Sequence, residues 1–166
     1  MVVYWQKPNL ENAYKHVPIH PQEFELLGFR VDNKFYYYKT LPFGLSYSCN
    51  LFEKFTSALQ WILENKFGVA HCVHILDDFL FIGPSGSSVC YSDLMAFYTL
   101  AKDTNLSIKE VKTVCPTTTL TFLGLELDTV KFEIRLPEDK LVLLKAEILK
   151  FQNKSSASLK ELQSLI

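Results

Sequence analysis

The chain has 166 residues, of which 48% are hydrophobic and 21% are charged, so it can bury the core of one ordinary domain. This composition excludes a disordered or collagen-like chain, and the formal net charge of −1 excludes a protein whose whole surface binds polyanions. We find no apolar run of membrane-spanning length, no signal-peptide pattern and no C-x-x-C pair among the four cysteines. These features predict an intracellular protein without a membrane partner, and they fit the cytoplasm and the nucleus equally well.

The N-terminal half of the sequence predicts a hairpin, a helix and a second hairpin. Residues rich in β-formers predict the first hairpin over residues 24–38. Apolar side chains three to four residues apart predict a helix that begins between Ser46 and Leu51 and ends at Gly68. Two apolar runs then flank Asp77 and Asp78, which predicts a second hairpin with both aspartates at its tip.

The C-terminal half alternates helices and hairpins in the same way. Helical periodicity predicts a helix over residues 89–103, and the runs 120–127 and 130–136 predict a hairpin. An amphipathic helix over 137–151 follows, and a last helix opens at Ser158 with the spacing of a capping box. Together these elements predict an α+β fold around an antiparallel sheet.

The pair Asp77-Asp78 is the strongest chemical signal in the sequence. Two adjacent acids inside an apolar run repel one another and lose hydration, unless a positive charge offsets both costs. A magnesium ion held by one or two carboxylates together with substrate phosphates is such a charge. The alternative is a solvated β-turn without a ligand.

Five segments resemble motifs of reverse transcriptases, in the order that this family has them. They are NLENAY at residues 9–14, LPFGLS at 41–46, ILDDFL at 75–80, Lys112, and Phe122-Leu123-Gly124 ten residues after that lysine. The resemblance covers residues 9–136, and the wording of KHVPIHP, LPFGLSYSCNLFEKF and HILDDFLFIGP is similar to retrotransposon polymerases of the DIRS type.

The resemblance implies the palm of a right-hand polymerase, with an antiparallel sheet, hairpins and packed helices. Residues 1–136 would form this palm with part of the fingers hairpin at 24–38, and residues 137–166 would be the truncated helical start of the thumb or connection. The remaining fingers, the thumb and an RNase H domain would lie outside this chain. The implied reaction is template-directed DNA synthesis with two Mg²⁺ (or Mn²⁺) ions, a nucleic-acid primer-template and dNTP.

The resemblance also implies roles for individual residues, in metal binding, nucleotide binding and primer binding. It assigns the metal ions to the catalytic Asp77 and Asp78, the nucleotide to Tyr14, Phe43, Gly44 and Lys112, and the primer grip to Phe122, Leu123 and Gly124. If it holds, Asn9 and Asp77 lie on neighbouring strands, with their side chains converging in one cleft that Tyr14 also faces.

Asn9 is the point at which this sequence departs from the family, which has a catalytic aspartate there. An amide oxygen brings no charge to a site that depends on charge, so the departure predicts impaired catalysis. Two alternatives remain open at this point. One is an inactive relative that binds nucleic acid weakly through its C-terminal lysines and the aromatic residues 35–38, and the other is an unrelated α+β binding module.

Overall fold

The structure is a computed structural model that describes residues 3–109, 113–152, 154 and 156–163. It divides into two compact units, one ending at Thr118 and the other beginning at Thr119. The predicted boundary between palm and thumb after residue 136 stays a prediction.

The N-terminal unit combines strands with two long helices. Its elements in chain order are β1 (Val3–Lys7), two 3₁₀ helices (Ala13–His16 and Pro21–Leu27), β2 (Gly28–Val31), β3 (Lys34–Tyr37), α1 (Ser46–Lys66), β4 (Cys72–Ile75), β5 (Asp78–Pro84), α2 (Val89–Asp103) and β6 (Val114–Thr117). Four of the strands form an antiparallel sheet in the order β4-β5-β1-β6, and β2 and β3 form a separate two-stranded sheet. The predicted helices are therefore confirmed, with α1 beginning at the early end of its expected range.

The core of this unit lies between the sheet and the two helices. Side chains alternate along a strand, so Phe79 and Phe81 of β5 lie on one face, and both are fully buried. Their ring centroids lie 4.9 and 5.9 Å from that of Phe97 on α2. From α1, Phe52 and Leu63 complete the same core. This packing fixes β5, the strand that begins at Asp78.

The first predicted hairpin is correct in its second part and wrong at its start. Residues 28–37 form β2 and β3, and Asp32 and Asn33 at the turn both have positive φ. Residues 24–27 instead belong to the second 3₁₀ helix. Its first residue is Pro21, and the preceding His20 ring accepts a hydrogen bond from the N–H of Gln22. This local capping outweighs the β-propensity of the apolar side chains that follow.

The C-terminal unit contains a three-stranded antiparallel sheet and two helices. Its elements are β7 (Thr119–Phe122), β8 (Leu125–Asp128), β9 (Glu133–Arg135), α3 (Glu138–Gln152) and α4 (Leu159–Gln163). The expectation of one strand over 120–127 is wrong, because the chain turns at Leu123 and Gly124. Both have positive φ, as a two-residue hairpin turn requires.

Strands and helices thus confirm the expected α+β class. The predicted capping box before α4 is present, because the Ser158 N–H donates to Glu161 Oε2 at 2.8 Å and the Glu161 N–H donates to Ser158 Oγ at 3.3 Å. Within the described ranges, no helix combines the length and the apolar character needed to cross a bilayer.

Candidate functional site

The two aspartates lie where β4 turns into β5. Ile75 pairs with Asp78, so the turn itself consists of Leu76 and Asp77, and only one of the aspartates is at the tip. Leu76 has a φ of 52°, which is unusual for a side chain of this kind. Its N–H donates to Glu53 Oε2 at 2.8 Å, and Glu53 Oε1 lies 3.2 Å from His74 Nε2. Helix α1 therefore holds the turn that carries the aspartates.

Asn9 lies directly against both aspartates. Strand β1 ends at Lys7, because Pro8 cannot donate to a neighbouring strand, but Asn9 still forms an antiparallel bridge with Asp78. Its Nδ2 donates to Asp78 Oδ1 at 2.8 Å and to Asp77 Oδ2 at 3.3 Å. The expected convergence of the Asn9 and Asp77 side chains is confirmed, although Asn9 lies just beyond β1 and Asp77 lies in the turn instead of on a strand. The amide group occupies the space between the two carboxylates.

Lys7 adds a positive charge to this cluster. Its Nζ lies 3.0 Å from Asp78 Oδ1, the same oxygen that accepts from Asn9. Both partners of this ion pair are mostly shielded from solvent, with side chains 19% and 24% exposed. One ammonium against two carboxylates leaves the cluster with a single net negative charge.

A pocket of about 350 Å³ opens beside the cluster. Its lining consists of residues 9–15 together with Phe43, Asp77 and Lys109. Tyr14 faces this pocket as expected, and its ring meets that of Phe43 edge to face with centroids 4.7 Å apart. Phe43 itself is 72% exposed, so its outer face is open to a ligand.

The Tyr14 hydroxyl is held on the other side by α1. It lies 3.1 Å from Cys49 Sγ, and this hydrogen bond, together with burial, raises the pKa of Tyr14 to about 12. Gly44 follows Phe43 with a φ of 87°, and no other group lies within 4 Å of the place where a side chain would begin. Backbone and ring are thus both accessible at this edge of the pocket.

The remaining site predictions concern Lys112 and the turn at residues 122–124. Lys112 lies outside the described residues. Phe122, Leu123 and Gly124 form the β7–β8 turn of the C-terminal unit, in which Leu123 is half exposed. Lys140 Nζ lies 2.8 Å from the position of a Cβ on Gly124, so a side chain there would displace the lysine. The primer-grip role of this turn stays a prediction.

Two surfaces considered for nucleic-acid contact have different characters. Strands β2 and β3, which form the aromatic hairpin, are exposed along their whole length. Rings of the two strands pack on one another, and Phe29 and Tyr36 stack with centroids 5.6 Å apart. Among the C-terminal lysines, Lys150 of α3 pairs with Glu147, and Lys154, between α3 and α4, lies 2.7 Å from Glu161. Part of the positive charge of these lysines is therefore neutralised locally.

Sequence reasoning missed Lys7, Glu53 and Cys49. Lys7 precedes Asn9 by two residues, and side chains two apart share one face of an extended chain, so alternation could have indicated it. Nothing in the sequence indicates that Glu53 accepts from Leu76, because that contact depends on how α1 packs against β4.

Comparisons with known proteins place these features in a family. Residues 4–127 match the family described as reverse transcriptase (RNA-dependent DNA polymerase). Protein P of Duck hepatitis B virus (strain China) is 29% identical over 145 residues, which are 87% of this chain and 18% of that protein. The enzymatic polyprotein of Cestrum yellow leaf curling virus is 28% identical over 118 residues, which are 70% of this chain and 18% of that protein. The chain thus spans less than a fifth of these relatives.

Solved structures agree with the sequence matches. The foamy viral protease-reverse transcriptase in complex with dsDNA superposes with a TM-score of 0.74 at 23% identity, over 98% of this chain and 31% of that one. The complex of a foamy viral protease-reverse transcriptase with an RNA/DNA hybrid gives the same TM-score at 22% identity, over 98% of this chain and 20% of that one. The fold is therefore that of an α+β polymerase palm, and the alternative of an unrelated binding module is wrong. Because the family match spans well over half of its residues, the chain belongs to the reverse transcriptase (RNA-dependent DNA polymerase) family.

Proposed function

We propose that this chain is the palm of a retroelement polymerase that extends a nucleic-acid primer with deoxynucleotides along a template. The observation that carries the proposal is the cluster of Asn9, Asp77 and Asp78 at the edge of a pocket that Tyr14 and Phe43 also line. The wording of its motifs supports a DIRS-type retrotransposon as the source. The complexes of the similar foamy viral enzymes with dsDNA and with an RNA/DNA hybrid support a primer-template as the partner.

The donor set at the cluster fits a hard divalent cation. Carboxylate oxygens are the ligands that Mg²⁺ and Mn²⁺ prefer, and Asp77 and Asp78 each direct one oxygen at the same amide group. Asn9 can contribute its own oxygen when its amide rotates by half a turn. Within the described ranges, no group of three or more acidic, histidine or cysteine side chains is arranged to hold a metal ion, in keeping with only two carboxylates here.

Each pocket residue then has a task that its position supports. Asp77 and Asp78 hold the cations, which when bound would polarise the attacking primer hydroxyl and the triphosphate. Tyr14 lies beneath the sugar and excludes a 2′ hydroxyl by contact, and the α1 thiol fixes the direction of its ring. Phe43 offers an exposed ring edge to the base, and Gly44 lets the backbone approach. The resemblance, and not a position in the pocket, supports two further roles: Lys112 would neutralise the pyrophosphate, and the turn at 122–124 would hold the primer.

Asn9 sets the level of activity. A third carboxylate is replaced by a neutral group, and losing one electrostatic catalytic group typically costs about 3 kcal/mol in the transition state. We therefore propose slow extension by the natural chain, and the remaining fingers, the thumb and any RNase H domain would come from a longer protein.

Primer extension with Mg²⁺ and then Mn²⁺ tests the proposal on the natural chain, Asn9→Asp and Asp77→Asn. Slow extension by the natural chain, faster extension by Asn9→Asp and none by Asp77→Asn is the expected pattern. If Asn9→Asp also fails to extend a primer to which it binds, the catalytic proposal for this chain is refuted.

A second candidate is a palm that binds nucleic acid without turnover. The contacts of Asp78 favour it, because the ammonium of Lys7 offsets its charge and the amide of Asn9 donates to the same oxygen. Fluorescence anisotropy with a labelled primer-template distinguishes the two candidates, because it would detect binding by all three proteins when none of them extends the primer.

A further inference from the structure

We propose that Lys7 acts as a built-in counter-cation that competes with a divalent metal ion for Asp78. The inference rests on the proposed function, since it concerns the same carboxylates, but it goes further by naming a residue that regulates their occupancy. In the metal-free chain, the ammonium of Lys7 and the amide of Asn9 together close the site.

The contacts of one oxygen carry the argument. Asp78 Oδ1 is 3.0 Å from Lys7 Nζ and 2.8 Å from Asn9 Nδ2, so both donors use the same acceptor. The second hydrogen of the Asn9 amide is directed at Asp77 Oδ2, at 3.3 Å. A metal ion that binds these two oxygens must displace N–H donors from them, one of which carries a full positive charge.

Partial burial makes the competition effective. The Lys7 and Asp78 side chains are 19% and 24% exposed, so solvent and salt screen this pair less than an ordinary surface ion pair. A cation near Asp78 would either lie close to an ammonium group or displace it into water. Both outcomes weaken metal binding.

A nearby lysine, Lys15, does not share the position of Lys7. Lys15 lines the pocket, and its Nζ donates to Asn12 Oδ1 at 3.2 Å instead of pairing with an aspartate. Replacing Lys15 therefore removes one positive charge from the rim without opening Asp78. This makes Lys15→Met the matched control for Lys7→Met.

A titration of the whole chain with Mn²⁺ tests the inference directly. The electron paramagnetic resonance signal of the free ion measures how much Mn²⁺ remains unbound. We expect Lys7→Met to bind Mn²⁺ at least about tenfold more tightly than the natural chain. Lys15→Met should differ from the natural chain by less than about twofold, because its charge is more distant and better solvated. Asp77→Asn provides the blank for non-specific binding.

A second variant separates charge from packing. Lys7→Gln retains a donor for Asp78 and most of the side-chain volume but loses the charge, so it should tighten binding as well, even if Lys7→Met folds poorly. Equal affinities for the natural chain and both Lys7 variants would overturn the inference. An equal gain in Mn²⁺ affinity in Lys15→Met would also overturn it, since the loss of any positive charge near the site would then explain the effect.

Failure of this inference and failure of the proposed function give different results. If Asn9→Asp tightens Mn²⁺ binding and extends primers while the Lys7 variants bind like the natural chain, only the role of Lys7 is refuted. If the Lys7 variants bind Mn²⁺ more tightly but no variant extends a primer, the competition is supported and the catalytic proposal is refuted. Absence of binding beyond the blank in every variant overturns the inference.

Discussion

Replacing Asn9 by aspartate should make the stability of this chain depend on a divalent metal ion. The amide now donates to both aspartates at 2.8 and 3.3 Å, and its side chain is buried. A carboxylate in its place would turn two attractive contacts into two repulsions. Without metal the variant should therefore unfold more easily than the natural chain, and with metal it should recover.

The distances set the size of this effect. Two unit charges about 3 Å apart at an effective dielectric constant of about 20 repel by roughly 5 kcal/mol before relaxation. The nearby Lys7 charge and the partial exposure of Asp78 reduce this cost, and two buried hydrogen bonds are lost as well. We expect a net loss of about 1–3 kcal/mol in the free energy of unfolding. Magnesium at about one hundred times its dissociation constant returns about 2.7 kcal/mol.

Urea unfolding at pH 7, followed by circular dichroism in EDTA and in Mg²⁺, measures both quantities. Asn12→Asp is the control, because Asn12 also lines the pocket, is exposed, and has a φ of 54° that aspartate tolerates. It should change stability by less than about 0.5 kcal/mol and show little dependence on Mg²⁺. Equal stability of Asn9→Asp and the natural chain in EDTA, with no gain from Mg²⁺, would refute the reasoning.

Three further predictions concern groups away from the pocket. Burial raises the pKa of Cys72 to about 12 and also raises that of Cys90, so at pH 8 only two of the four thiols should react quickly with Ellman's reagent; four fast thiols in the folded chain would contradict the buried packing. Burial raises the pKa of Asp93, so the folded chain binds a proton there more tightly than the unfolded chain, and stability falls as the pH rises above the unfolded value near 4. Asp93→Asn should therefore gain about 1 kcal/mol at pH 7 and less at pH 4, as urea titrations at both pH values would reveal, whereas an equal gain would argue against this cause. Glu53→Ala removes the acceptor of the Leu76 N–H and should lower the free energy of unfolding in urea by about 1 kcal/mol. An unchanged unfolding midpoint would contradict a role of α1 in holding the turn.

Sequence periodicity was sufficient for the helices but not for every strand. Helices α1 and α2 could be predicted because their buried side chains recur every three to four residues over several turns. The turn at Leu123 could not, because a leucine at positive φ carries no local signal and is imposed by the pairing of β7 with β8. Residues 24–27 show the opposite case, in which a proline and a capping histidine outweigh apolar residues that favour a strand.

In the candidate site, the sequence identifies some residues, whereas their contacts depend on tertiary packing. Asp77 and Asp78 could be identified because they match a short motif of the family, and Asn9 because it stands where another such motif has an aspartate. The structure brings them together through the register of β5 beside the end of β1. That register is a tertiary property, so the sequence alone could place Lys7 on the face of Asn9 but not against Asp78. The support from Glu53 likewise depends on packing across α1 and β4.

The same contacts explain both how this cluster is stable without metal and why it should bind metal weakly. In a site with three carboxylates, the metal-free state contains only repulsions, and the cation is the single group that relieves them. Here Asn9 donates to both aspartates and Lys7 supplies a charge, so the metal-free state is already satisfied. The contacts of Asn9 and Lys7 with the aspartates must be given up when a cation binds the same oxygens. Stability without metal and affinity for metal are therefore opposed at this site, and a substitution that raises one should lower the other.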